Sequence, residues 1–337
     1  MPGSLLAVAP VRHPGGAEIV LMRLLTGLRA RRWRLLLTTP GPGRLADMAA
    51  ATGIPWQPLA LGGLGRRRGL RAAASWPRAR RLSRHYGVVY LNGTVCGRLL
   101  PALAGRRTVL HVHDMVDRVP SFWRRADLVL AASQAVADRL EGLHAHVVYP
   151  PVDPEPAPVD PPWRGGDGPV VGFVGRIEPR KGVLDLVRAA PAIRRAVPGA
   201  RIVLVGDDDY GIDADYLAAV RAGPGVEHHG WIDGAPGLMR ALDVLVLPSH
   251  EEPAGTVLAE AMAVGTPVVA TRVDGLPEIV EPGVTGELVE PGAPEELAAA
   301  VVRVLEEREA MGAAAARHAE RFHVEGFLDE MERLLAS

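Results

Sequence analysis

Disulfide-forming cysteine is missing from this chain. A single cysteine, Cys96, stands among 337 residues, which excludes an intrachain disulfide and fits a reducing compartment. Long hydrophobic runs are missing as well. Apolar runs such as Val244–Pro248 and Thr266–Ala270 have the length of a strand, far short of the roughly 18 apolar residues that span a membrane. Met1–Pro10 carries no basic leader region, so no signal peptide is expected. No G-x-G-x-x-G follows the first predicted strand, which weakens a nicotinamide-dependent reading. Lysine is almost absent: Lys181 is the only one, and the other 37 basic residues are arginine. One lysine kept in a glycine-flanked loop points to a site that needs a compact ammonium instead of a guanidinium fork.

What is present describes a folded chain. Hydrophobic residues make up 48% and charged residues 23%, a globular composition, and 337 residues suggest two domains of about 150 each. The net charge of −1 hides a division. Residues 1–150 hold 22 arginines against 7 carboxylates, a net of +15, and residues 151–337 carry −16. Such a split suggests an anionic partner for the first half, or two oppositely charged domains that attract each other.

Strands and helices alternate. Leu5–Pro10, Leu35–Thr39, Val88–Asn92, Val109–His113 and Leu128–Ala131 read as buried strands, with a helix predicted over Ala17–Arg31 and another opened by the N-cap Ser133. Prolines at 150, 151, 154, 156, 158, 161 and 162 forbid a helix or central strand there and predict an extended linker. The pattern then repeats, with strands at Val170–Val174, Arg201–Val205, Val244–Pro248 and Pro267–Thr271. Helices follow over Val183–Val197, from near Gly255, and over Glu295–Glu307, Ala310–Arg321 and Glu325–Leu335. Repeated βα units imply parallel sheets covered by helices on both faces.

Two stretches carry the chemistry. In FVGRIEPRKG, Phe173–Gly182, a buried strand runs into a glycine and then two cations, Arg176 and Lys181. The C-terminal end of a parallel strand is where α/β sheets bind ligands, and a diphosphate suits two cations; a solvated charged turn is the plain alternative. In PSHEEPAGTVLAEAMAVGT, Pro248–Thr266, an acidic loop precedes a helix whose first N–H groups, at Gly255 and Thr256, suit an anion. Glu260 has Thr256, Val257, Ala263 and Val264 as its helical neighbours, so a buried carboxylate is expected, served either by a diol or by an arginine. The acidic run Asp207–Asp209 is the one metal-like cluster and reads as a solvated loop.

Glu252 and Glu260, spaced E-x7-E, resemble the signature of retaining GT-B glycosyltransferases of family 4, the glycosyl transferases group 1. The likeness continues in FVGRIEPRKG, in GLPEIVEPGVTGELVEPG (Gly275–Gly292) and in PGGAE (Pro14–Glu18). It implies an α/β protein of GT-B type, with two Rossmann-like domains whose parallel sheets face each other across a cleft. Residues 1–150 would form the acceptor-side domain, 151–165 the linker and 166–322 the nucleotide-sugar domain, with a C-terminal helix at about 323–337 crossing back.

By the same resemblance Glu260 holds the ribose, Glu252 the donor sugar, and Arg176 and Lys181 the diphosphate with the backbone of Gly255 and Thr256. Gly15 and Gly16 would let a loop approach the donor phosphate and acceptor closely, and His113, in LHVHDM, would contact the donor sugar near the reacting carbon. From its residues alone His113 is equally a core histidine satisfied by Asp114 or backbone, and His111 shares its strand face. Trp231, beside His228 and His229, reads as a core residue with base stacking as the other choice.

Two positions depart from the family pattern. Ala254 replaces an aromatic residue and predicts a roomier sugar pocket, and Asp274 stands where glycine is common. The implied reaction is metal-independent transfer from a nucleoside-diphosphate sugar to a hydroxyl acceptor with retention of configuration, without a further cofactor. The basic stretch Arg66–Arg84 suits an anionic membrane surface or an anionic or lipid-linked acceptor, or serves only solubility. The expected location is the cytoplasm, free or peripheral on the inner face of the cell membrane. Nucleic acid is excluded as a partner, because the basic half lacks interleaved aromatics. A nucleotide-sugar epimerase and a non-catalytic sugar-nucleotide or polyanion binder are the alternatives.

Overall fold

A computed structural model describes residues 3–61, 69–163, 167–208, 211 and 213–336 of the chain. It divides into two compact units, Met1–Pro151 with Val324–Ser337, and Val152–His323.

The first unit is built on a parallel sheet of seven strands: β1 Ser4–Val8, β2 Arg34–Thr39, β3 Trp56–Pro58, β4 Val88–Asn92, β5 Arg107–Val112, β6 Leu128–Ala131 and β7 Ala145–Val147. Their order is β3-β2-β1-β4-β5-β6-β7, so the winding reverses between β1 and β4. The sequence dictates burial on both faces. Leu5 and Ala7 of β1 join Tyr90, Val109 and Leu130 on one side, while Leu6 and Val8 join Val89, Leu91 and Val112 on the other. This two-residue alternation of equally apolar side chains is what a sheet sandwiched between helix layers requires.

On the first face lie the helices Gly16–Ala30 and Val324–Ala336, the latter contributing Phe327, Leu328, Met331, Leu334 and Leu335 to the core. Arg31 locks this helix by ion pairs at 2.7 Å to both Asp329 and Glu332.

The second unit repeats the plan with β8 Val170–Val174, β9 Arg201–Val205, β10 Val226–His228, β11 Val244–Leu247, β12 Val268–Thr271 and β13 Gly286–Val289, in the order β10-β9-β8-β11-β12-β13. All its pairings are parallel, and the winding reverses between β8 and β11. Crevices at such reversals, outside the carboxyl ends of the strands, are where open α/β sheets bind ligands.

The proline-rich run does not stand clear of this unit. Val152 and Trp163 are buried, and the carbonyl of Ala157 lies so close to Gly237 that an added Cβ would sit 1.8 Å from it. Among the described residues no helix is long and apolar enough to cross a membrane.

The basic segment is only partly within the described residues: Arg66, Arg67 and Arg68 fall outside them, as does the side chain of Arg71. The rest forms two short helices, Gly69–Ala74 and Trp76–Ser83, the second with Pro77 in its first turn, where the missing N–H costs nothing. Its apolar face is already used: Ala79 and Leu82 are core, and the Trp76 indole donates to the carbonyl of Arg98 at 3.1 Å. Arg78, Arg80, Arg81 and Arg84 remain exposed.

Candidate active site

In the first unit the ends of β1, β4 and β5 deliver polar side chains into one buried cluster. After β1 the chain turns through Pro14-Gly15-Gly16 into the Gly16–Ala30 helix. Glu18 folds back there and accepts the Gly15 N–H at 3.0 Å, satisfying one of the donors a helix start leaves open. Gly16 is exposed, and an added Cβ would meet nothing within 4 Å, so the protein itself has no packing reason to keep a glycine there.

Asn92 closes β4 fully buried and donates to Glu18 Oε1 at 3.3 Å and to the carbonyl of Ala17 at 3.4 Å. Its Oδ1 meets Nε2 of His113 at 3.1 Å. His111 is register partner to Asn92, bonds the Tyr90 hydroxyl through Nδ1, and stacks on His113 with ring centroids 3.9 Å apart.

Dryness governs the charges here. Burial lowers the His113 pKa to about 4 and lowers that of His111 as well, so both rings are neutral. Burial also raises the Glu18 carboxyl, against the hydrogen bond from Gly15.

The second unit solves its site with ion pairs. Beyond β8 the chain passes Gly175 and Arg176 into a single turn, Pro179–Lys181, and then the Val183–Ala196 helix. Gly182 joins turn and helix at φ 62°, and a Cβ on it would lie 1.9 Å from the Pro248 carbonyl, so only glycine brings this loop against the end of β11. The backbone of Arg180 accepts the His250 N–H at 2.7 Å, and the His250 ring bonds buried Asp185 at 2.7 Å. The cationic and acidic loops are thus stitched side by side.

Lys181 consequently reaches Glu252, forming an ion pair with both side chains close to nine-tenths buried. Ser249 donates to the same carboxylate oxygen at 3.3 Å. Burial works against the charged form of Glu252, but the Lys181 ammonium prevails and holds its pKa below the ordinary carboxylate value. Glu178, also buried, takes Arg180 at 2.6 Å and Arg176 at 3.4 Å.

Asp274 accounts for its departure from glycine. Its φ is 42°, a left-handed conformation that glycine adopts freely and aspartate tolerates, and its Oδ2 accepts the Glu252 N–H at 2.9 Å. Glycine would give the turn without that acceptor.

The Thr256–Ala263 helix starts at Gly255, whose φ is 60° and whose missing Cβ leaves room for Leu276. No side chain caps that start. Ala254, beside it, is buried.

The structure therefore brings Lys181 and Glu252 into direct contact, sets Arg176 on the same loop, and places Gly255 and Thr256 at the helix start that follows. Gly15 and His113 share the first unit's hydrogen-bonded cluster. Several expectations need correction. Glu260 is half-buried on its helix, since its neighbours Thr256 and Val257 are themselves half-exposed. His113 is satisfied by Asn92, because Asp114 turns away to accept from Thr94 at 3.3 Å. Trp231 is 46% exposed with its indole on Asp233, so it is no core residue. Asp207 is not merely solvated: it pairs with Arg221 at 3.0 Å, while Asp209 lies outside the described residues.

Sequence reasoning missed Asn92, Glu178, Asp185, His250 and Ser249. A polar residue ending an apolar strand, as in VVYLN, was the available sign of Asn92.

Comparison with known proteins agrees with this architecture. Residues 14–156 match the family described as Glycosyltransferase Family 4, and residues 168–307 the one described as Glycosyl transferases group 1. A D-inositol 3-phosphate glycosyltransferase of Segniliparus rotundus is 40% identical over 170 residues, 48% of this chain and 38% of that protein. The matches to this and two further curated relatives span only 36% to 39% of those proteins' length. The lipopolysaccharide core biosynthesis glycosyltransferase LpsE of Rhizobium meliloti is 30% identical over 254 residues, 71% of this chain and 72% of LpsE. Among solved structures, HepE of Anabaena in complex with UDP-glucose superposes with a TM-score of 0.84 at 25% identity, covering 99% of each chain. Two doubly wound parallel sheets, two matched halves in order and a full-length structural likeness make this chain a member of glycosyltransferase family 4, the glycosyl transferases group 1.

Proposed function

We propose that the chain is a glycosyltransferase that moves a sugar from a nucleoside-diphosphate donor, in the first instance a UDP-sugar, to a hydroxyl acceptor with retention of configuration. The observation that carries this is the near-buried Lys181–Glu252 pair at the β8/β11 reversal, beside Arg176 and an uncapped helix start. Its support from relatives is that HepE binds UDP-glucose with the same fold.

On this reading the diphosphate takes up Arg176 and Lys181 and the N–H groups of Gly255 and Thr256, Glu260 holds the ribose, and Glu252 meets the sugar. Gly15 and Gly16 leave space for phosphate and acceptor, and His113 contacts the donor sugar. The bond between the anomeric carbon and the diphosphate oxygen breaks as the acceptor oxygen bonds to that carbon on the same face. The leaving diphosphate oxygen takes the acceptor's proton, and the cations and helix start stabilise the charge that develops. No step calls for a metal ion.

A thermal-shift panel of UDP, GDP, ADP and TDP and their sugars, with Lys181→Ala and Glu260→Ala beside the parent, tests the reading. A ligand that binds the folded state raises the midpoint by mass action. One nucleotide should stabilise the parent and neither variant; a panel without any shift would refute the donor site.

A further inference from the structure

Asn92 is fully buried, and its surroundings decide which way its amide points. Nδ2 lies 3.4 Å from the carbonyl oxygen of Ala17. A carbonyl can only accept, so nitrogen and not oxygen must face it, whatever the protonation of Glu18. Glu18 Oε1, at 3.3 Å from the same Nδ2, adds a second acceptor on that side. Oδ1 is thereby turned toward Nε2 of His113, 3.1 Å away. An acceptor at that point requires the proton to sit on Nε2.

Burial keeps the His113 ring neutral, with its pKa lowered to about 4, so the second nitrogen, Nδ1, retains a lone pair. Among the described residues Nδ1 of His113 has no hydrogen-bond partner, and unlike Nε2 of His111 it is not sealed from solvent.

We propose that Asn92, held by Ala17 and Glu18, is a positioning residue that fixes His113 as the Nε2–H tautomer and presents Nδ1 as an acceptor for a hydroxyl group of the donor sugar. This rests on the reading that His113 contacts that sugar. It also sets a substrate class. A free hydroxyl can donate to Nδ1, whereas a carboxylate or a deoxy position offers nothing to that lone pair, so sugars with a hydroxyl at this point are preferred.

The tautomer is read from long-range proton–nitrogen correlation spectra of the full chain with ¹⁵N-labelled histidine, His113 being assigned by difference from His113→Gln. The parent should show Nε2 protonated and Nδ1 pyridine-like at neutral pH. Asn92→Ala should give a mixture of tautomers. With UDP-glucose as donor it should lose about tenfold in kcat/KM, the scale of one hydrogen bond, while the Kd for UDP stays within about twofold. Asn92→Asp, entering this dry cluster as the protonated acid, donates its O–H toward the Ala17 carbonyl, keeps an oxygen facing Nε2 and should restore the tautomer and part of the rate.

A parent protonated on Nδ1, or an Asn92→Ala protein with an unchanged tautomer, overturns the proposal. A shifted tautomer with unchanged turnover overturns the part assigned to Asn92 in the reaction. Failure of UDP to bind the parent would strike the glycosyltransferase reading instead and leave the tautomer result standing. If Asn92→Ala does not fold, the parent spectrum and Asn92→Asp still decide.

Discussion

The two units place their candidate site residues at equivalent points, the carboxyl ends of strands beside a winding reversal, yet they secure them by opposite means. Around His113 the direct partners are dipoles and uncharged rings, Asn92 and His111, and the one carboxyl of the cluster, Glu18, stands behind Asn92 with the Ala17 carbonyl. Around Lys181 the side chains are mostly charged and paired: Glu252, Glu178, Arg176 and Arg180. A buried dipole network fixes orientation but has little charge to offer. A buried ion pair holds charge in readiness, because a ligand's phosphate can replace the carboxylate as the partner of the ammonium. The first unit is thus suited to geometry and the second to charge exchange.

The largest effect should come from breaking the charged side. Lys181→Met strands Glu252 in a nearly buried place, so about 3 kcal/mol of stability should go in urea melts, with turnover of UDP-glucose falling by roughly 100-fold or more. Adding Glu252→Gln should return part of the stability and none of the turnover. A double variant no more stable than the single one would show that the pair is not coupled.

Acid should separate the two regions next. The folded His113 ring binds its proton with a pKa of about 4, against 6.5 for the free side chain. The unfolded chain therefore takes up protons first, so the His113 contribution is full above pH 6.5 and declines by roughly 3 kcal/mol as pH falls toward 4, with His111 adding in the same direction and Glu18, whose carboxyl burial raises, offsetting part of the loss. Glu252, whose folded pKa is depressed, keeps its contribution down to the ordinary carboxylate value of 4.5 and loses it progressively below that. Hydrogen exchange followed by peptide mass should show β4 and β5 weakening on acidification before β8 and β11. The reverse order would break the comparison.

A smaller effect probes the dipole side. Glu18 accepts from both Gly15 and Asn92, and a glutamine there can accept only through its one oxygen, so Glu18→Gln should cost about 1–2 kcal/mol by urea melt. Asp274 offers the smallest change. Asp274→Ala keeps the strained φ and loses the acceptor for Glu252, costing about 1 kcal/mol, while Asp274→Asn, which tolerates the turn and can still accept, should melt like the parent.

Much of this was legible in the sequence. Apolar runs of four or five residues gave the central strands, because a strand buried on both faces writes itself as an unbroken hydrophobic stretch. Val88–Asn92, Leu128–Ala131, Val170–Val174 and Arg201–Val205 were read to the residue. The edge strands Trp56–Pro58, Ala145–Val147 and Val226–His228 are three residues each, too short to carry a pattern, and depend on a neighbour already in place.

At the site, residue types could be read but partnerships could not. Lys181 and Glu252 each stood out, yet their contact spans 71 positions and depends on Gly182 drawing two loops together. Asn92 looked like a strand ending, since its meaning lies in Ala17 and His113, one on a helix and the other at the end of a different strand. Trp231 was misread because its size suggested a core that the short segment around it does not provide.

The solitary lysine has a practical corollary. Nζ of Lys181 is the only side-chain primary amine that the sequence encodes, and it sits 12% exposed in an ion pair. Amine-directed labelling of the folded chain therefore reports on one atom, apart from the chain's own terminus. A lysine-specific protease likewise has a single bond to cut, after residue 181, at the end of the cationic turn. The rate of that one cut is a clock for the opening of the loop, and no engineered probe is needed to read it.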